Sequence, residues 1–377
     1  MQILSAVDAI SPAFERMKLV MFSPFRKGRT WKLGITGYLS FAGTIFLPFS
    51  LIYALIALMF RDKIPPVGVY IIIAAALTLT ALYVFIFVLC SRLQFAFFDI
   101  VLNRGEFVAP AWRKYGPQSW RWTSVKIIAG TIVTLLLAWP IMAGVQHMIR
   151  IAPALSTMSA EPGQPPPPQL FEFIIAFYGM YFAFFAVFGI YYLVAAILSS
   201  FMVPTMALED ASVKDSFRRF IGFVRRETAQ FFLYIIVRFG LGLVGYMGVT
   251  MAFQLVLILV FLISGVVLGA IGLLLHVVGV PNTPLFVLGG ILFFLIYMGS
   301  TIYIFGLGLG AYFTFFEAHT LYFLGGRYPK LGELLEKSTP PPPPPAYWPP
   351  NLMQAAYPPP GYPSPAYPPP SDPQESH

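Results

Sequence analysis

The sequence predicts an all-α fold: a polytopic transmembrane helix bundle with about six main crossings, interfacial amphipathic helices, a short half-helix and a disordered Pro-rich C-terminal tail. Of its 377 residues, 58% are apolar and 11% are charged, and the mean hydropathy is +0.74, unlike a soluble domain. Several uncharged stretches exceed the roughly 20 apolar residues that a helix needs to cross a bilayer. They lack the polar alternation of barrel strands, so the crossings are predicted to be helical.

The predicted crossings follow the uncharged runs along the chain: 33–60, 67–91, 125–148, 173–202, 231 to about 263, and 285–324. The run 231–280 would form a helix of about 75 Å, more than twice the thickness of a bilayer core. Its glycines, with Pro281 and Pro284, therefore predict a break and a short half-helix at 266–278. Seventh and eighth crossings are the alternative.

Lys and Arg are concentrated in every second connection of the chain, namely 1–32, 92–126 and 212–226. Because these residues accumulate on the cytoplasmic side of short loops, both termini are expected to be cytoplasmic and the protein to lie in the inner (plasma) membrane. The predicted divisions are a cytoplasmic interfacial segment at 1–32, a transmembrane domain at 33–336 and a tail at 337–377.

The stretch SVKDSFRRFIGFVRR predicts an amphipathic helix that begins with Ser212 as its cap and Asp215 as the capping-box partner. Apolar residues recur at helical spacing on one face and cations lie mainly on the other. This pattern is typical of a helix in the headgroup plane. An ordinary cytoplasmic loop helix is the alternative interpretation.

Three basic aromatic segments, 24–32, 111–122 and 216–220, precede apolar runs and are expected to contact an anionic inner leaflet. The expected headgroup contacts are Arg26, Lys27, Arg113, Lys114, Arg218 and Arg219. Tryptophan keeps its ring among acyl chains and its N–H in water, so interface positions are expected for Trp31, Trp112, Trp120 and Trp122.

Arg238 and Glu317 are predicted to lie at one depth, each about 10 Å inside the cytoplasmic end of its helix. An ionisable group in lipid is costly unless it is paired or hydrated, so the two are expected to approach each other or to share a polar cavity, with His319 nearby. Structural pairing and a transport site are both compatible with this arrangement.

Three passages, AFERMKLVMFSPFRKGRTWKLGI, VKDSFRRFIGFVRRETAQFFLYIIVRFGLGLV and FFEAHTLYFLGGRYPKL, resemble an uncharacterised family of bacterial multi-pass membrane proteins. That family is akin to the membrane domain of some glycerophosphodiester phosphodiesterases, and the resemblance covers roughly residues 1–335. It implies a six-helix membrane domain of unknown activity. The phosphodiesterase chemistry belongs to a separate soluble domain, so the resemblance carries over no catalytic residue.

The sequence contains no catalytic signature, no nucleotide-binding loop and no metal-ligand spacing among its four histidines. We therefore expect no enzymatic activity, cofactor or nucleic-acid partner. The Pro-rich tail carries PPAY and PPGY, whose Tyr347 and Tyr362 are candidates for recognition by a cytoplasmic protein.

The first functional hypothesis is a non-enzymatic scaffold or membrane-organising module that presents this tail to partners. The alternative is a small transporter or lipid-handling protein with a polar cavity near Arg238, Glu317 and His319. An intramembrane enzyme ranks third.

Overall fold

The computed structural model describes residues 2–23, 27–105, 107–156, 168–277 and 282–339. Regular structure in these ranges is helical, which confirms the all-α class. The helices are α1 (Ile10–Phe22), α2 (Lys27–Ala42), α3 (Ser50–Met59), α4 (Pro66–Asn103), α5 (Val108–Lys114), α6 (Gly116–Ser156), α7 (Pro168–Glu209), α8 (Val213–Arg226), α9 (Thr228–Val277), α10 (Asn282–Gly325) and α11 (Pro329–Ser338).

Five of these helices, α4, α6, α7, α9 and α10, are long and apolar enough to cross a membrane. They correspond to the second to sixth predicted apolar runs. Residues Met1–Ser338 form one compact unit, so α1 belongs to the same body as the long helices.

The first predicted crossing is not a single helix, because α2 and α3 are separated by an irregular segment at 43–49. The two pieces nevertheless run antiparallel to α4 along its length. Gly37 lies against Phe97, and the Ser50 and Thr80 hydroxyls are 2.7 Å apart further along. Together α2 and α3 form one discontinuous helix that extends beside α4.

Side chains of neighbouring helices satisfy the backbone of the interruption at 43–49. The Lys126 ammonium donates to the Gly43 carbonyl (2.6 Å), and the Leu47 N–H donates to the Tyr83 hydroxyl (3.3 Å). Unpaired backbone groups are very costly in an apolar medium, so the chain leaves helical structure only where such partners exist. Pro48 also prevents a regular helix from continuing through the segment.

The predicted break near residue 265 is wrong, because α9 continues without interruption from Thr228 to Val277. Gly265 and Gly269 remain helical, and α9 contains no proline. In apolar surroundings a broken backbone hydrogen bond finds no water, so glycine alone does not end a helix there. The half-helix expected at 266–278 is therefore part of α9 as far as Val277, and 278 lies outside the described residues.

Helices α9 and α10 pack side by side as a long antiparallel pair. The rings of Phe253 and Phe305 are 4.9 Å apart, and those of Phe261 and Phe293 are 5.9 Å apart. Most other side chains on the distal halves of both helices are exposed. The pair is therefore held together along its contact stripe and is apolar on its outer surface.

Helices α2 and α10 approach each other until their backbones touch. A Cβ atom added at Gly34 would overlap the carbonyl of Gly306, and one added at Gly310 would overlap Gly34. The small-residue pair Gly306 and Gly310 thus serves packing inside the chain. In contrast, a Cβ atom at Gly265 or Gly269 would meet no heavy atom within 4 Å.

Helices α1, α5, α8 and α11 cover one end of the bundle, which we call the basic end. Two connections predicted to share a membrane side, 1–32 and 92–126, meet there through Arg16 and the Val101 carbonyl (3.0 Å). Arg121 also pairs with Asp210 (3.2 Å), just before α8, and Arg327 pairs with Glu227 (2.8 Å), just after it. The largest buried core also lies at this end and includes Phe95, Phe98, Phe201, Tyr234 and Phe323.

Arg16 of α1 is buried and links two helix ends within the basic end. Its guanidinium donates to the carbonyls of Val101 (3.0 Å), Leu102 and Ser338 (3.0 Å), and to the Ser338 hydroxyl (2.6 Å). Burial lowers the pKa of Arg16 to about 10, so the group is cationic at neutral pH. One side chain thereby supplies hydrogen-bond donors to free carbonyl groups in the carboxyl-terminal turns of α4 and α11.

Helix α8 begins as predicted: the Asp215 N–H donates to the Ser212 hydroxyl (3.1 Å), which in turn donates to the Asp215 carboxylate (2.6 Å). Its apolar face, however, packs against protein. Phe223 contacts the rings of Phe201 (5.3 Å) and Phe323 (6.0 Å). The helix therefore covers the protein core with this face and leaves its cations exposed.

Candidate functional site

A cavity of about 810 Å³ lies between α2, α4, α7, α9 and α10. Phenylalanine and tyrosine side chains from these helices form most of its wall, as illustrated by the stacked rings of Phe41 and Phe313, 4.5 Å apart. Hydroxyl groups of Ser40, Ser199 and Ser200 add polar points. Its size falls within the roughly 300–1,000 Å³ typical of small-molecule sites.

The cationic group of the cavity is the guanidinium of Arg238 on α9. Its Nη1 donates to the Tyr234 hydroxyl (2.6 Å), the Thr320 hydroxyl (2.6 Å) and, more weakly, the Phe316 carbonyl (3.4 Å). The hydrogen bonds of Arg238 within the described part of the chain all use Nη1. Nε and Nη2 therefore remain available to an acceptor in the cavity.

The anionic group of the cavity is Glu317 on α10, one residue from the Phe316 carbonyl that Arg238 contacts. Among the described residues its carboxylate accepts no hydrogen bond and forms no ion pair within 4.0 Å. Arg238 and Glu317 thus line one cavity without direct contact. A carboxylate inside a membrane span requires donors, so the arrangement can accept a cationic or hydrogen-bonding group.

Several residues of the cavity wall on α7 and α9 are also exposed at the protein surface. These helices meet at the basic end, where the Phe201 and Tyr234 rings are 5.5 Å apart. Further from that end, Leu193 of α7 and Phe239 and Leu243 of α9 line the cavity and are exposed to 39%, 67% and 54%. Apolar side chains therefore border an opening that faces the surroundings of the long helices.

A family model for a family of unknown function, DUF7544, matches residues 4–334. The chain belongs to DUF7544. No curated protein and no solved structure gives a significant match. The DUF7544 region contains the cavity and the basic end, and it stops within α11.

His319 does not join Arg238 and Glu317 on the wall of the DUF7544 cavity. It is fully buried, its Nε2 lies 2.8 Å from the Ala6 carbonyl, and its ring stacks on Tyr234 at 5.6 Å. Its other ring nitrogen has no partner within the described residues. His319 therefore ties the amino-terminal segment to α10, two residues from Glu317 but on another face of the helix.

Lys126 lies at the end of the basic connection 92–126, where the sequence predicts an exposed residue, but in the structure its side chain is buried. Besides Gly43, its ammonium donates to the Gln94 side chain (2.8 Å), which lines the cavity and donates to Thr44 (3.0 Å). The Phe87 ring lies 5.3 Å from the ammonium. A lysine at the start of a long apolar run is the sequence signal that indicates this role.

The predicted headgroup residues differ in their surroundings. Arg113 and Arg218 are exposed, whereas Lys114 pairs with Asp99 (2.9 Å) and Arg219 pairs with Glu209. The hydrogen bond to Glu209 raises the pKa of Arg219. Arg26 and the side chain of Lys27 lie outside the described residues, as do Tyr347 and Tyr362 of the tail.

The four predicted interface tryptophans do not share one environment. Trp120 is exposed to 58%, and Trp31 and Trp112 are half-buried. The Arg92 guanidinium lies 5.0 Å from the Trp112 ring. Trp122 is only 3% exposed and belongs to the protein core rather than to a lipid interface.

Within the described ranges, no group of three or more His, Cys, Asp or Glu side chains is placed to hold a metal ion. The polar groups that line the DUF7544 cavity are Arg238, Glu317, the Gln94 amide and several hydroxyl groups.

Proposed function

We propose that this DUF7544 protein binds an amphiphilic molecule, taken laterally from the bilayer, in the cavity between α7 and α9. The observation that carries the proposal is the pair of opposite charges, Arg238 and Glu317, which line one aromatic cavity without contacting each other. This is the lipid-handling alternative derived from the sequence, and it requires no catalytic residue.

The shape and chemistry of the cavity support an amphiphile over a fully polar solute. Its polar points are few and its walls are mostly aromatic, which is typical of sites for ligands with a large apolar portion. Leu193, Phe239 and Leu243 border the opening, so acyl chains leaving the cavity would remain in contact with apolar surface. A fully polar solute would gain no hydrophobic free energy from contact with these apolar side chains.

The proposed membrane is the bacterial inner (plasma) membrane, with the basic end facing the cytoplasm and an anionic leaflet. Support comes from Arg113, Arg218, Arg225 and Arg226, which are exposed at this end. Each exposed cation near an anionic leaflet contributes on the order of 1 kcal/mol. With both termini on the cytoplasmic side, the chain makes six membrane crossings: the five long helices and the α2 and α3 pair counted as one.

Labelling of single cysteines tests this orientation. In a Cys90→Ala background, cysteines at Arg113 and Arg218 are expected to react with a membrane-impermeant maleimide only after permeabilisation, because both belong to the basic end. A cysteine at Asp62, exposed to solvent in the turn before α4, is the matched control and should react in intact cells. Reaction of 113 and 218 from opposite sides would contradict the orientation.

The scaffold hypothesis depends on the Pro- and Tyr-rich tail, most of which lies outside the described residues, so it stays a prediction from sequence. The resemblance to the membrane domain of glycerophosphodiester phosphodiesterases is part of what we propose for this protein. It implies a membrane domain of unknown activity to which no catalytic residue carries over, and this is compatible with a binding function.

Filling the cavity tests the proposal directly. Gly242 lines the cavity, and a Cβ atom there would meet only the Tyr312 hydroxyl (3.6 Å) and the edge of Phe316 (4.0 Å). Gly242→Phe is expected to lower phospholipid retained by the purified full-length protein about tenfold, a loss of about 1.4 kcal/mol of binding free energy. Retained lipid is measured by native mass spectrometry during delipidation.

Gly240→Phe is the matched control, because Gly240 lies two residues before Gly242 on α9, outside the cavity lining, with no heavy atom within 4 Å of an added Cβ. It should retain as much lipid as the unmodified protein. Equal retention by the two variants, with unchanged thermal stability, would show that the lipid binds elsewhere and would overturn the proposal.

A further inference from the structure

We infer that the cavity selects a zwitterionic lipid headgroup with a phosphodiester anion and a primary ammonium, as in phosphatidylethanolamine. This inference rests on the proposed function and adds the chemical class of the ligand. It is drawn from the hydrogen-bonding capacity that Arg238 and Glu317 leave unused.

Arg238 is held in position for a phosphate. Three acceptors bind its Nη1, and the Phe316 and Tyr234 rings lie 5.5 and 5.7 Å from the guanidinium carbon. These contacts restrict the orientation of the planar group before a ligand arrives. Nε and Nη2 remain free, and guanidinium N–H groups match two oxygens of a phosphate bidentately.

Glu317 supplies the complementary requirement. A carboxylate can accept several hydrogen bonds, and none reaches Glu317 from the described residues. A primary ammonium brings three N–H donors together with a positive charge. A quaternary ammonium such as choline brings the charge but no donor, so it would leave the carboxylate without hydrogen bonds.

Charge balance decides against an anionic lipid. The charges of Arg238 and ionised Glu317 sum to zero, and the other residues that line the cavity are apolar or neutral. A lipid with a net negative headgroup would pair with Arg238 and leave Glu317 without a cation, so that this carboxyl would remain a costly buried anion or take up a proton. Leaving one charge of a buried set unpaired is strongly unfavourable, whereas a zwitterion compensates both.

The separation of the two groups gives the zwitterion space. In a direct ion pair each group would neutralise the other and neither would need a ligand. However, no oxygen of Glu317 lies within 4.0 Å of a guanidinium nitrogen of Arg238. Both groups therefore remain open to the cavity that they line, where a phosphate can bind Arg238 and an ammonium can bind Glu317. At about 810 Å³ the cavity accommodates a headgroup and the first part of its chains, and the opening between α7 and α9 receives the remainder.

Competition among headgroups tests the inference. The full-length protein is equilibrated with equimolar phosphatidylethanolamine, phosphatidylcholine and phosphatidylglycerol of identical acyl chains, and the bound species are counted by native mass spectrometry. The unmodified protein is expected to prefer phosphatidylethanolamine about tenfold over each competitor, as one charge-assisted hydrogen-bonded contact allows. Glu317→Gln keeps the side-chain shape and should abolish the preference for phosphatidylethanolamine over phosphatidylcholine. Arg238→Gln should weaken the binding of all three lipids.

The outcomes separate this inference from the proposed function. If phosphatidylglycerol is preferred, or if phosphatidylethanolamine and phosphatidylcholine bind equally to the unmodified protein, the headgroup inference fails while cavity binding stands. If Gly242→Phe leaves binding of all three lipids intact, the proposed function fails as well. Thermal melting of each variant shows whether a lost preference arises from unfolding, and Glu317→Asp should partly restore the preference.

Discussion

A Gly34→Val variant is expected to lose most of its folded population. Gly34 of α2 lies against the backbone of α10, where an added Cβ atom would overlap the Gly306 carbonyl and approach the Gly310 Cα. These are backbone atoms, which cannot turn aside as a flexible side-chain end can. We expect a loss of at least about 3 kcal/mol in the free energy of unfolding, the upper end for overpacking.

Gly299→Val is the control for this prediction, because Gly299 lies on α10 with no heavy atom within 4 Å of an added Cβ. Both variants carry the same change of helix propensity. Monodispersity in detergent and thermal melting measure the outcome: the control should match the unmodified protein. Equal stability of the two variants would mean that α2 and α10 are not in backbone contact.

Arg16→Met is expected to have the second large effect, a loss of about 2–6 kcal/mol in the free energy of unfolding, from two buried acceptors left without a donor. The variant removes the donors for the buried carbonyls of Val101 and Leu102 and for the half-buried carbonyl of Ser338, and an unsatisfied buried acceptor costs roughly 1–3 kcal/mol. Arg16→Lys should recover only part of the loss, since an ammonium cannot reproduce the planar fork of donors.

Lys18→Met provides the matched comparison on the same helix. Lys18 is exposed and pairs with Glu15 (2.8 Å), a surface interaction worth at most about 1 kcal/mol. Melting temperature and protease resistance of the linker after α11 report the outcome. A melting temperature unchanged by Arg16→Met would contradict the structural role assigned to this guanidinium.

The class of the fold and the start of α8 could be predicted because they depend on local sequence. Composition and run length indicate apolar helices, and the Ser212 and Asp215 pair marks a helix start without any tertiary information. Helix arithmetic could also assign Arg238 and Glu317 to one depth. It could not show that their side chains leave a gap, because that gap depends on how five helices pack.

The interruption of the first crossing and the continuity of α9 could not be predicted by the same reasoning. Gly43 and Pro48 are residues that a membrane helix often tolerates. The helix is interrupted here because Lys126 and Tyr83, which are distant in sequence, form hydrogen bonds with the freed backbone groups. Near the expected break in α9, a Cβ atom added at Gly265 or Gly269 would meet no heavy atom within 4 Å, so no neighbouring side chain of the described residues is placed to bind a freed backbone group and the helix continues. The surroundings of the backbone, rather than the residue itself, decide whether a membrane helix ends.

The length of α9 has a consequence for the lipid around the protein. Fifty helical residues span about 75 Å, and tilting alone would fit them into a 30 Å hydrocarbon layer only at about 65° from the normal. Membrane helices rarely tilt beyond about 40°. Part of α9 must therefore extend beyond an unperturbed hydrocarbon layer, which makes the α9 and α10 pair a site of positive hydrophobic mismatch with the surrounding lipid.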